Sequence, residues 1–178
     1  MPIKGLDKLA QQSLQDKLDY EVIYERNINV AVTKISSDII KTKSSLLDLN
    51  HNMRVDLIMR VSDRCIVDAR CQMVKVPFEV CALTAHLISK VIGLKIERGI
   101  TGQIRSRLAG AKGCTHLYEL TIEAIRMSSN VLMGFATGDE KEWRERRMTD
   151  AEFIDKAKEC LKDSCLPFSA GTADTDNA

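Results

Sequence analysis

The sequence predicts an α+β protein in which a small antiparallel sheet is followed by a helical layer. Two observations carry this. Between Val22 and Cys71 apolar residues alternate with polar ones, the period of a strand with one buried face. From Val80 onward the apolar spacing changes to that of helices. With 178 residues, 44% of them hydrophobic, the chain can bury one core but not two comfortable domains.

A short helix is expected over Leu6 to Leu18, from the loose spacing of Leu6, Leu9, Leu14 and Leu18. Val22, Tyr24, Ile28, Val30 and Val32 then alternate as a first strand, with a slip near Arg26 that suggests a bulge or turn. A second strand runs from Ile39 to Leu47, and Asn50-His51-Asn52 supplies the turn. Val55, Leu57 and Met59 form a third strand. Ser62-Asp63-Arg64 reverses the chain into a fourth through Ile66, Val67, Ala69 and Cys71.

Pro77 cannot donate to a ladder and ends the sheet. Leu83, Leu87, Val91 and Ile92 then predict a helix closed by Gly93. A second helix is expected from about Thr101 to Gly110, and a third from Cys114 through Leu132. Beyond Gly134 the charged residues around Trp143 read as an exposed connector. Thr149-Asp150-Ala151-Glu152 is a capping-box pattern that starts a last helix carrying Phe153, Ile154, Ala157 and Leu161. The expected organisation is one α+β domain over 1–138 with its N-terminal helix, a charged connector and packed C-terminal helix over 139–168, and a disordered tail over 169–178.

Lysine and arginine total 26 against 25 acidic residues, so no overall field draws nucleic acid or an anionic membrane. No stretch reaches the roughly 18 to 20 apolar residues of a membrane span, and the first residues lack a signal-peptide core. A cytoplasmic protein is expected. In a reducing compartment its six cysteines read as packing, metal-binding or reactive groups rather than as a disulfide scaffold.

The chemistry concentrates at Gly113-Cys114-Thr115-His116. A cysteine opening a helix sits where unpaired N–H groups and the positive dipole end stabilise a thiolate. His116 follows two residues later, a spacing that diverges in a regular helix and so opposes a shared ligand role. Cys81 also begins a helix, and Cys165 lies in the loop after the last one. Each has a plain structural alternative: Cys81 as a core position, Cys114 as a small buried residue at a tight junction, His116 as a partner for a backbone carbonyl, Cys165 as part of a mobile tail. His51 and His86 complete the imidazoles. A thiolate of Cys114 paired with His116 or His51 as base remains open beside the metal reading.

Three stretches carry a family resemblance: Val91-Ile92-Gly93-Leu94-Lys95-Ile96, Arg105-Ser106-Arg107-Leu108-Ala109-Gly110, and Gly113-Cys114-Thr115-His116-Leu117-Tyr118-Glu119-Leu120. Over roughly Tyr24 to Leu132 the chain resembles a bacterial family catalogued as domain of unknown function 2889, with Gly-Cys-Thr-His-Leu as its most specific feature. The resemblance implies an accessory protein encoded beside catabolic enzymes. More distantly, the order of strands, cysteine, helices and Cys114 is similar to iron–sulfur scaffold proteins of the NifU type, which implies thiolates from Cys81, Cys114 and Cys165 with His116 or His51 as a fourth ligand. The expectation is therefore a non-enzymatic accessory protein with a protein partner, holding zinc or an iron–sulfur cluster through Cys81, Cys114, His116 and Cys165. A small thiol enzyme with Cys114 as nucleophile, or a purely structural partner of a catabolic enzyme, are the alternatives.

Overall fold

The computed structural model describes residues 22–169. Four strands, β1 (Arg26–Lys34), β2 (Ile39–Asp48), β3 (Asn52–Arg60) and β4 (Ile66–Lys75), form an antiparallel meander in the order β1-β2-β3-β4. The predicted period of two is met on β2 and β3. Ile40, Thr42, Ser44 and Leu46 are buried on one face of β2, and Met53, Val55, Leu57 and Met59 on the same face of β3. The opposite face carries Lys41, Lys43, Arg54, Asp56 and Arg70, so among the described residues the sheet is covered on one side only.

β1 starts at Arg26, later than the alternation suggests, because Val22, Ile23 and Tyr24 lie exposed outside the ladder. The helix expected over Leu6 to Leu18 lies outside the described residues, as does the expected tail apart from Ser169.

After Pro77 the chain winds as a 3-10 segment over Glu79–Val91 instead of the predicted α-helix. Its hydroxyls and imidazole show why. Thr84, His86 and Ser89 each engage the carbonyl three residues back, at Cys81, Leu83 and His86, which favours the tighter winding. Leu87, Ile88 and Val91 are buried, whereas Leu83 is exposed. Gly93 has φ +86 and donates its N–H to the Ile66 carbonyl, tying this segment to β4.

The helices follow as α1 (Ile100–Leu108), α2 (Thr115–Thr137), α3 (Glu140–Arg144) and α4 (Asp150–Leu161). The long α2 lies across β1, β2 and β3 and buries Leu117, Leu120, Ala124, Ile125 and Leu132, while α1 packs on α2 and the 3-10 segment. One buried polar bond joins helix to sheet, Thr42 Oγ1 to Ser128 Oγ at 2.7 Å. Ser128 donates to the Ala124 carbonyl at 2.6 Å, so Thr42 is the donor in that pair.

The charged connector is more ordered than its composition suggests. α2 continues past Gly134 to Thr137, α3 forms within the charged run, and Trp143 stacks on Phe153 with centroids 6.4 Å apart. Thr149 and Glu152 make the predicted capping box at the start of α4.

Candidate functional site

The turn between β2 and β3 is built by Asp48. Its Oδ1 accepts the backbone N–H groups of Asn50 at 2.8 Å and His51 at 2.7 Å, an Asx-type arrangement that fixes the turn. The same oxygen meets His51 Nδ1 at 2.9 Å. Its other oxygen takes Arg26 Nε at 2.9 Å. Burial alone would raise the Asp48 pKa. The hydrogen bonds from His51 and Asn50 outweigh it and hold the carboxyl well below the usual range.

α2 begins directly above this turn. Cys114 is its N-cap and reaches that place through a close approach at Gly113, where a Cβ would collide with the Leu108 carbonyl. Cys114 N–H donates to that same Leu108 oxygen at 2.8 Å. The start of α2 is thus set by contact between two backbones, which explains the glycine of the Gly-Cys-Thr-His run on steric grounds.

From this start His116 projects towards the turn, and its ring centroid lies 3.9 Å from that of His51 at a 44° tilt. His116 Nε2 is 3.4 Å from Arg26 Nη2, and Arg26 Nη1 is 3.2 Å from Glu119 Oε2. Burial lowers the His116 pKa first, and the charges of His51 and Arg26 lower it further. A neutral His116 therefore sits against an Arg26 guanidinium held by two carboxylates. His51 is 6% exposed, and its Nε2 has no hydrogen-bond partner among the described residues.

The spacing argument against a shared Cys114–His116 role agrees with the geometry. His116 faces β1 and the β2–β3 turn, whereas Cys114 packs against the core and is near enough to Cys71 of β4 for its charge to act on that thiol. Burial, then Cys114, pushes the Cys71 thiol up to about 11. Neither imidazole hydrogen-bonds a thiol among the described residues. Cys81 lies half-buried in the 3-10 segment, and Cys165 is exposed after α4.

Among the described residues, no three His, Cys, Asp or Glu side chains are grouped to hold a metal ion. The expected ligands Cys81, Cys114, His116 and Cys165 are accordingly not assembled into such a group.

Asp48, Arg26 and Glu119 escaped the sequence reading. The available signal was Asp48 three residues before His51 in a turn, a spacing at which an aspartate caps the turn and reaches the imidazole. Arg26 and Glu119 carried no local signal, because only the pairing of β1 with β2 and the passage of α2 overhead bring them in.

Fold and site together define a one-sided α+β protein with a carboxylate-held histidine beneath a helix start. The chain belongs to the family described as protein of unknown function (DUF2889), whose model matches residues 24–128. That span runs from Tyr24 to Ser128 and contains every residue of the histidine cluster. No curated protein and no solved structure matches the chain. No helix among the described residues is long and apolar enough to cross a membrane.

Proposed function

We propose that the protein is an accessory binding protein that engages its ligand through Nε2 of His51. The observation that carries this reading is the Asp48 Oδ1 to His51 Nδ1 contact at 2.9 Å. A carboxylate held by two backbone N–H groups accepts the Nδ1 proton, fixes the ring, and leaves Nε2 with its lone pair. Such a nitrogen accepts a proton or a hydrogen bond. The Arg26 guanidinium beside His116 favours a ligand that presents an N–H or O–H group over a bare cation.

A thiol enzyme would need Cys114 in the same unit, and its packing towards Cys71 supports that less. Zinc or an iron–sulfur cluster would draw on a larger set of grouped donors, and no three His, Cys, Asp or Glu side chains are so grouped among the described residues. In this reading the partner is a protein of the same cytoplasmic setting. Val74, Phe78, Val80 and Leu83 give it exposed apolar surface where β4 leaves the sheet, and Lys75 there bonds the Leu49 carbonyl beside the turn.

Long-range proton–nitrogen NMR correlation of the imidazoles tests the proposal. The expected spectrum shows His51 as the Nδ1–H tautomer with an unprotonated Nε2, and Asp48→Ala, which removes the acceptor, erases that preference. A His51 protonated on Nε2 at neutral pH would sink the idea. Metal analysis of anaerobically purified protein is the second arm, and zinc or iron lost on His51→Gln would replace this reading by a metal site.

A further inference from the structure

The two edges of the sheet are treated differently. β4 is tied at its start by the returning chain, through Ile66 N–H to Leu94 O, Gly93 N–H to Ile66 O, and a bridge between Cys65 and Lys95. The β3–β4 ladder is also interrupted by two register shifts. Among the described residues β1 has neither protection. Its nine residues pair with β2 without a break, and among the described residues no backbone hydrogen bond reaches it from outside.

A bare, regular edge is a template for another strand, and proteins that must avoid this place prolines, bulges or inward charges there. β1 reads Arg26-Asn27-Ile28-Asn29-Val30-Ala31-Val32-Thr33-Lys34, with no proline and with its charges only at the two ends. Ile28, Val30 and Val32 share the helix-side face, opposite Leu46, Ser44 and Thr42. Ile28 stays 41% exposed, and Val30 and Val32 are only half-buried.

We infer that β1 is a self-association edge, pairing antiparallel with β1 of a second copy of this chain about a two-fold axis at Val30. The pattern is self-complementary in that register. Val30 meets Val30, Ile28 meets Val32, and on the other face Asn27 and Asn29 meet Thr33 and Ala31. Arg26 falls opposite Lys34 of the second copy, and each cation brings its own acid, Glu119 at 3.2 Å and Glu140 at 3.4 Å. Charges of both signs therefore line the seam, and the join closes β1's open edge in each copy.

Sedimentation equilibrium over the micromolar range tests this. The intact chain is expected at twice its 19.9 kDa mass, and Val30→Lys at that mass itself with an unchanged far-ultraviolet circular dichroism spectrum. A monomeric intact chain overturns the inference, as does a dimer that survives Val30→Lys. Val30→Cys covers the case in which the lysine variant fails to fold. On the axis it should give a covalent dimer under mild oxidation, faster than Thr33→Cys on the other face. Equal rates, or no covalent dimer, would place any association elsewhere, including at an extended segment of another protein.

Discussion

Replacing Asp48 by asparagine probes the turn and the histidine together. Asparagine keeps one oxygen, which can still accept the N–H groups of Asn50 and His51, but it turns an NH2 towards Arg26 where Oδ2 now accepts at 2.9 Å. A hydrogen bond to a charged group contributes roughly 1.5–3 kcal/mol. Because Arg26 is about one third exposed and can lean on Glu119, the lower half applies, about 2 kcal/mol. For a chain of this size that lowers Tm by roughly 4–8 °C. The folded pKa of Asp48 is depressed, so its contribution is complete above the unfolded value of about 3.9 and is lost as pH falls through the folded value. Urea unfolding of both proteins at pH 7 should show the full difference, and the gap should narrow only below about pH 4. A loss under about 0.5 kcal/mol at pH 7, or a gap that does not change in acid, would refute the assignment of Asp48 as the organising acceptor.

Three further perturbations test other parts of the structure. Gly113→Ala drives a methyl group into the Leu108 carbonyl, and denaturant unfolding should report a loss of about 3 kcal/mol together with a displaced start of α2 in hydrogen exchange. Ser44 is fully buried on β2 with no partner for its hydroxyl among the described residues, so Ser44→Ala should leave stability unchanged or raise it by up to about 1 kcal/mol in the same assay. Timed alkylation read by mass spectrometry at pH 8 should label the exposed Cys165 at least about 100-fold faster than Cys71, whose half-buried thiol is pushed up to about 11.

Much of the fold is legible in the sequence where burial is one-sided. Ile40 to Leu46 and Met53 to Met59 alternate because one face of the sheet meets helices and the other water, and that contrast is written residue by residue. Where burial is weak the pattern misleads. Val22 and Tyr24 continue the alternation of β1 but lie outside the ladder, and Leu83 fits an α-helical stripe yet stands exposed on a 3-10 winding. The histidines were each visible, but their contact was not. His51 and His116 meet only because the β2–β3 turn and the start of α2 stack at one end of the sheet, a tertiary fact with no local trace.

The close approach at Gly113 also sets an angle. Each residue of an α-helix turns the chain by about 100°, so the point where α2 is seated on Leu108 decides which side chain faces the β2–β3 turn. One residue inserted between Gly113 and Cys114 would bring Thr115 over His51 and swing His116 away from Arg26, leaving the hydrophobic stripe of Leu117 and Leu120 out of phase with the sheet. The backbone contact thus acts as an index mark for the helix, and the same rotation that fills the core delivers the imidazole.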